Sequence, residues 1–260
     1  MALTENEIDL YSRQILVPAM GGRGQDLLAA ASVQILGGGT APAFAASYLA
    51  GAGVGRIVWV SSAGPSAETA LAPLEQRRPD TRLVRRARVA PTGVIFDVTI
   101  AETGPRSDMS AAAATGAAAG LARAGATRTG AARPDSARVL AGVPARTGEI
   151  GLHAGDLAGL LLVPARAGYC LACLGWPSDE TETADGRRRS ASQSALEDPL
   201  LGAMAALATL GWLARIAPDA TDDRARALLL EDGEWRDAAP RRRTGPCPRC
   251  LSRTTRLSPP

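Results

Sequence analysis

The sequence contains no lysine, so all 29 of its basic residues are arginine. A chain without lysine cannot make a P-loop lysine contact to phosphate or a lysine Schiff base. Aromatic residues are also scarce, at 3%, so alanine, valine and leucine must build the core. Because few aromatics accompany the arginines and the net charge is only +3, no nucleic-acid binding is expected.

Histidine and membrane-length apolar runs are nearly missing as well. The single histidine, His153, has no second histidine with which to share a metal or a proton. The first ten residues are acidic and lack the apolar stretch of a signal peptide, which predicts a cytoplasmic protein. The apolar run 199–218 is close to the roughly 20 residues of a membrane span, but Arg215 interrupts it. We expect a buried helix there and no contact with a membrane.

The N-terminal half has the pattern of a strand–helix–strand unit. Thr4 and Glu7 have capping-box spacing, which predicts an amphipathic helix ending near Pro18. Strands at 32–36 and 56–60 enclose a glycine loop and a helix, and such a unit pairs its strands in parallel. Apolar runs then predict strands at 82–90, 93–100, 138–143 and 151–165, a helix at 109–124 and a hairpin at 226–238. The fold class is therefore α/β, with a Rossmann-like, mostly parallel sheet flanked by helices.

The glycine loop lies in the stretch ILGGGTAPAF, residues 35–44. Dinucleotide-type loops use three glycines, for the turn, for close approach to phosphate and for helix packing. Gly37 and Gly39 fill the first two places, whereas Pro42 takes the third. Proline is tolerated in a first helical turn but has no N–H, which argues against an unaltered phosphate site.

All four cysteines occur in two C-x-x-C pairs, Cys170 with Cys173 and Cys247 with Cys250. Two such pairs match a tetrahedral thiolate site and predict a structural Zn²⁺ that staples the C-terminal tail to the core. Two disulfides are the alternative, which the expected cytosolic setting disfavours. A redox role would leave one pair unexplained. A site closed by four thiolates has no open position for a substrate.

Together these features resemble one known family. The order of YSRQI at 11–15, the glycine loop, YLAGAGVGRI at 48–57 and the two late cysteine pairs is similar to the ubiquitin-activating-enzyme-like superfamily. The similarity is to its bacterial ThiF/MoeB branch and runs from about Leu3 to Leu251. It implies a homodimer that uses Mg²⁺ and ATP to adenylate the C-terminal glycine of a small sulfur-carrier or ubiquitin-like protein.

Part of the family's nucleotide site is present. Arg13 matches the arginine that reaches across the dimer to the neighbouring subunit's ATP phosphates, and residues 1–30 would form the helical dimerisation segment. Gly37 and Gly39 match the loop, whereas Thr40 and Pro42 replace glycines. The resemblance thus implies a role in trans for Arg13.

Other parts are missing. Ser61 stands where the family places the acid that binds the ribose, and neither the following Asn/Arg phosphate motif nor the catalytic lysine is present. Of the metal-binding motif only Asp97 survives, with Ile100 and Ala101 in the metal-facing places. Asp97 is expected at the carboxyl end of its strand, where open sheets bind ligands, or as a cap of the next turn. The loop 178–194, expected to be mobile, has no cysteine for thioester or persulfide chemistry.

These losses point to a single domain over 1–260 with an eroded ATP site, in which Gly37, Gly39 and Asp97 are vestigial. Its parts would be the 1–30 segment, a Rossmann-like core at 31–145, and an extension at 146–260 with the buried helix 199–217 and a four-cysteine zinc tail. If each lost group supplied about 3 kcal/mol, catalysis would fall by several orders of magnitude. The expected function is a non-catalytic homologue that pairs with itself or with an active paralogue, or docks a carrier protein or peptide. An atypical active adenylyltransferase and a zinc-containing binding module unrelated to adenylation are the alternatives.

Overall fold

The computed structural model describes residues 3–60, 81–86, 96–103, 145–154, 158–174, 191–216, 223–238 and 247. Within these ranges eight strands form one sheet, in the order β3-β2-β1-β4-β5-β6-β7-β8. The strands are β1 (Ser32–Leu36), β2 (Arg56–Val60), β3 (Arg82–Arg86), β4 (Phe96–Thr103), β5 (Ala145–Ala154), β6 (Ala158–Pro164), β7 (Arg226–Leu229) and β8 (Trp235–Asp237). The protein is a mixed α/β structure.

The sheet has a parallel half and an antiparallel half. Strands β1 to β5 pair in parallel, and β6, β7 and β8 continue the sheet in antiparallel fashion. The strands expected at 32–36 and 56–60 are confirmed. The expected strand at 151–165 is wrong in detail, because the structure has two antiparallel strands, β5 and β6, in its place. The apolar run gives no sign of the change in chain direction between β5 and β6, because both strands are buried on two faces.

Five α-helices lie in the described ranges: α1 (Glu5–Ile15), α2 (Gly21–Ala30), α3 (Thr40–Gly51), α4 (Leu171–Leu174) and α5 (Ala191–Leu213), with a short 3-10 helix at Ala165–Ala167. The capping box at the start of α1 is confirmed, with Thr4 and Glu7 bonded reciprocally. Pro42 lies in the first turn of α3, where it does not interrupt the helix. The hairpin at 226–238 is confirmed, and Gly233 has φ 68° in its turn.

Side chains alternate between two faces of the sheet. Ile35, Ile57 and Ile100 belong to the core cluster that also holds residues of α3 and α5, whereas Leu36 and Val58 lie in a second cluster with Leu171 of α4. Helices α3 and α5 approach closely at Gly202, where a Cβ would overlap the carbonyl oxygen of Ala41. The lack of a side chain at Gly202 thus allows the two helices to pack closely on one face of the sheet.

Other predictions are wrong in part or concern residues outside the described ranges. The loop expected at 178–194 is wrong at its end, because α5 begins at Ala191. The helix expected at 199–217 is longer at its start and ends at Leu213. The expected helix at 109–124, the strand at 138–143, Ser61 and Cys250 lie outside the described residues. None of the helices in the described ranges combines the length and apolar character needed to cross a membrane.

Candidate functional site: a glycine loop and a cysteine cluster

The glycine loop lies at the carboxyl edge of the parallel half-sheet. It connects β1 to α3, and β1 has β2 on one side and β4 on the other. The chain leaves β1 toward β2 and later returns on the opposite side at β4, which makes this edge a topological switch point. Open α/β sheets bind ligands at such a point. Gly37 and Gly39 therefore occupy the expected position in the fold.

The conformation of the loop is fixed by contacts with β2. Gly37 has φ 139°, a value that side chains rarely allow. Its N–H donates to the carbonyl oxygen of Val60 over 3.1 Å, and its own carbonyl accepts from the indole N–H of Trp59 over 2.6 Å. Trp59 is 2% exposed, so this anchor is buried. Contacts with the sheet therefore fix the conformation of Gly37, the first residue of the loop.

A carboxylate occupies the loop. Oε2 of Glu102 accepts hydrogen bonds from the backbone N–H of Gly38, over 3.1 Å, and of Gly39, over 2.9 Å. Glu102 belongs to the carboxyl end of β4 and is partly buried. Consecutive N–H groups before a helix form an anion site, and here the anion comes from the same chain.

The expected location of Asp97 is wrong. Strand β4 runs to Thr103, so Asp97 lies near its amino end, at the edge of the sheet opposite the loop. There Oδ2 accepts from the N–H of Ser32 over 2.7 Å and from its hydroxyl over 2.9 Å. The error arose because the strand was expected to end at Ile100. Asp97 caps the start of β1 rather than the following turn.

Ile100 and Ala101, which the resemblance would place facing a metal, are apolar and buried. Ile100 is 0% exposed and packs in the cluster that contains α3, and Ala101 is 1% exposed on the other face. Neither side chain has an atom that could bind Mg²⁺. On the described part of β4 the acid at the carboxyl end is Glu102.

Arg13 lies on the surface in the last turn of α1, where a cation suits the helix dipole. The helix is held by Tyr11, which is 3% exposed. A Cβ on Gly53, which has φ 85°, would come within 2.6 Å of the Tyr11 ring. Gly53 of YLAGAGVGRI thus makes room for the aromatic ring of YSRQI, which brings the two motifs into contact.

Three of the four cysteines come together. The Sγ atom of Cys170 lies 3.8 Å from that of Cys173 and 3.8 Å from that of Cys247, and all three residues are buried. All three sulfur atoms lie within 4.8 Å of one another, and the cluster could hold a metal ion. Zn–S bonds of about 2.3 Å in a tetrahedron separate the sulfurs by about 3.8 Å. The donor set therefore fits zinc.

The cysteine cluster is supported by a buried acid. Glu149, 1% exposed on β5, accepts a hydrogen bond from the N–H of Leu171 over 3.1 Å. Leu171 lies between Cys170 and Cys173, so this bond holds the turn that presents both thiols. Tyr169 bonds to the backbone of Ala225 and Ala238, which joins the same turn to the antiparallel half of the sheet.

Sequence reasoning missed both Glu102 and Glu149. Glu149 gives a usable signal, because an acid inside an apolar strand needs a buried partner. Glu102 gives a weaker signal, because it lies just beyond the strand predicted at 93–100. Its partner lies 63 residues earlier in the chain, so only the sheet order brings the two together.

Comparison with known proteins relates part of the sequence to adenylyltransferases. Over 56 residues, 22% of this chain and 12% of the relative, it is 54% identical to mouse "Adenylyltransferase and sulfurtransferase MOCS3". Over 57 residues, 22% of this chain and 21% of the relative, it is 42% identical to the Thermus thermophilus "Sulfur carrier protein adenylyltransferase". The matched segments span about an eighth to a fifth of these relatives' lengths. No family model matches the chain.

Solved structures share the fold over nearly the whole chain. The Microcin C7 biosynthetic enzyme MccB in complex with N-formylated MccA has a TM-score of 0.58 at 15% identity, covering 94% of this chain and 76% of that one. E. coli MccB with ATP has a TM-score of 0.55 at 14% identity, covering 88% and 70%. The matched segment and the shared fold together support a relationship to the ubiquitin-activating-enzyme-like superfamily. In this chain the carboxylate of Glu102, on β4, contacts the glycine loop, and three cysteines lie together beside α4.

Proposed function

We propose that this protein is a catalytically degenerate member of the superfamily that acts as a partner subunit or docks a carrier protein. The observation that carries the proposal is the apolar replacement on β4, where Ile100 is buried in the core and cannot bind Mg²⁺. The lack of lysine adds to it, since adenylation depends on neutralising the polyphosphate charge. The fold and the turn that presents the cysteines are complete in the described residues, whereas the catalytic groups are not.

The surface of α1 supports a role in pairing. Ile8 and Leu10 are each 46% exposed, and Leu16, just after the helix, is 79% exposed. Exposed apolar side chains beside an arginine are typical of a protein–protein contact. We propose that this surface, defined by Ile8, Leu10, Arg13 and Leu16, binds a second copy or an active paralogue. In a pair with an active paralogue it would present Arg13 to the ATP phosphates bound by that paralogue.

The cysteine cluster supports a structural zinc site. We propose Cys170, Cys173, Cys247 and Cys250 as its ligands, with Cys250 supplying the fourth thiolate. Such an ion contributes to folding and takes no part in a reaction, because four thiolates close its coordination shell. One relative is named for a sulfur carrier protein, and one solved neighbour is in complex with N-formylated MccA. These names suggest a small carrier protein or peptide as the docked partner of this chain, which we propose to be cytoplasmic.

The test of this proposal combines a measurement of ATP binding with a measurement of partner activation. Titration calorimetry with Mg·ATP should detect no binding to the wild-type protein up to millimolar concentration, with an active superfamily member as the positive control. Mixed with that active member and its carrier protein, the wild type should raise carrier-dependent ATP–pyrophosphate exchange. Arg13→Ala should abolish the increase, whereas Arg23→Ala, a matched change of an arginine on α2, should leave it unaltered. Micromolar binding of Mg·ATP to the wild type would contradict the proposal.

An atypical active adenylyltransferase is the second candidate, and Glu102 is the observation that favours it. A carboxylate beside a phosphate-type loop could bind the Mg²⁺ of Mg·ATP in place of the missing acid. This function requires the wild type to bind Mg·ATP and to release pyrophosphate with a carrier peptide. It also requires that Glu102→Ala weaken the binding.

A further inference from the structure

The bond pattern at Glu102 is that of a bound anion. One oxygen, Oε2, accepts from two consecutive N–H groups, and α3 begins immediately after them at Thr40. The N-cap of α3 is Gly39, which has no side chain to accept a hydrogen bond. The positive end of the helix dipole and two converging N–H groups would attract a phosphate to this point. In this chain the negative charge is supplied by β4.

The carboxylate leaves no room for a second anion at the same donors. A Cβ placed on Gly39 would overlap Oε1 of Glu102, and one placed on Gly37 would come within 2.6 Å of Oε2. A phosphate oxygen at these N–H groups would overlap the carboxylate oxygens and be repelled by their charge. Binding of a phosphate therefore requires Glu102 to leave.

The first glycine of the loop, Gly37, is held without Glu102. Its anchors to β2 are the bond from Gly37 to Val60 and the bond from Trp59 to Gly37, and neither involves β4. Because Gly38 lies between this anchored residue and the N-cap of α3, we expect Gly38 and Gly39 to keep their positions when the carboxylate is removed. Their N–H groups would then point into a free space at the switch point of the sheet.

We propose that Glu102 is an internal ligand of the glycine loop that excludes phosphate, and that the loop binds phosphate groups once this carboxylate is removed. The inference rests on the proposed function, because it explains how a loop that keeps Gly37 and Gly39 is closed to nucleotide. It differs from a simple helix-capping role, which would require Glu102 only for stability. The ligand class is an inorganic or nucleotide phosphate.

The test uses inorganic pyrophosphate without Mg²⁺, so that a metal cannot assist binding. Calorimetric titration of the zinc-loaded wild type should show no binding at millimolar pyrophosphate. Glu102→Ala should bind it at least about tenfold more tightly, because a like charge is gone and two donors are free. Glu234→Ala removes an exposed acid from the β7–β8 turn and should behave as the wild type. Glu102→Gln keeps the size but not the charge and should bind with intermediate affinity.

The outcomes separate the two proposals. If a folded Glu102→Ala or Glu102→Gln protein does not bind pyrophosphate, and the wild type does not bind Mg·ATP, only the internal-ligand inference is overturned. Binding of Mg·ATP by the wild type contradicts the proposed function. If Glu102→Ala then loses that binding, Glu102 is a metal ligand and both proposals fail. If Glu102→Ala does not fold, the pyrophosphate affinity of Glu102→Gln decides the matter.

Discussion

The glycine loop and the cysteine cluster are both ligand-type sites, yet they differ in what their donors face. At the cluster, Cys170, Cys173 and Cys247 point at one another with the separation of a zinc tetrahedron. At the loop, the donors of Gly38 and Gly39 face a carboxylate from the same chain. In both sites the donor residues have a spacing that can be recognised as a sequence motif. The motif identifies the donors, but only the tertiary structure shows whether they are available to a ligand.

The two sites also differ in how they use a nearby acid. Glu149 accepts from the N–H of Leu171 and holds the turn that presents two thiols, so it supports a site without entering it. Glu102 enters its site directly. An acid near a ligand-type motif can therefore position the motif or close it. The role depends on whether the acid bonds a neighbouring backbone N–H, as Glu149 does, or the ligand-binding donors themselves, as Glu102 does.

The largest expected effect is at the cluster, where Cys170→Ser removes the sulfur that lies 3.8 Å from both of the others. We expect loss of bound zinc and a fall in the free energy of unfolding of more than about 3 kcal/mol. Metal analysis and denaturant unfolding measure both. A chelator should bring the wild type to the level of the variant and leave the variant unchanged. A stable Cys170→Ser protein that still holds zinc would show that this thiol is not a ligand.

A smaller effect is expected at the loop, where Gly39→Ala places a methyl group on the Glu102 carboxylate. Gly39 has an extended backbone with φ −82°, so alanine causes no backbone strain there and the cost of about 2 kcal/mol is steric. In a Glu102→Ala background the same change should cost less than half as much. Denaturant unfolding of the four proteins gives the coupling between the two positions. Equal costs in both backgrounds would mean that Glu102 does not lie against Gly39.

The smallest effect is at α1, the helix that carries Arg13. A hydrogen bond from the Thr4 backbone N–H, then one from its hydroxyl, lowers the pKa of Glu7 below its ordinary value of 4.5. A lowered folded-state pKa stabilises the protein above pH 4.5, and this contribution is lost as the pH falls through the folded-state value. Thermal unfolding of wild type and Glu7→Gln should differ slightly at neutral pH and converge in acid. A difference in thermal stability that does not change with pH would show that titration of the Glu7 carboxylate is not its cause.

Local features of the chain were predictable from the sequence. The capping box of α1, strands β1 and β2, the tolerance of Pro42 and the hairpin turn at Gly233 each depend on a few neighbouring residues. The gathering of three cysteines was also predictable, because zinc ligands have characteristic spacing. The split between β5 and β6 was missed, since an unbroken apolar run has no local mark where a buried chain reverses.

The sequence by itself determined which donors and helix ends exist, since these follow from residue type and from spacing over a turn or two. The tertiary structure alone decided the opposite places of Asp97 and Glu102, one at each end of β4. That outcome depends on where the strand begins and on the order β1-β4 in the sheet, which are set by packing between distant segments. A shift of β4 by a few residues would exchange which acid lies at the ligand-binding edge. The length and register of one strand, rather than any motif, placed a carboxylate in the glycine loop.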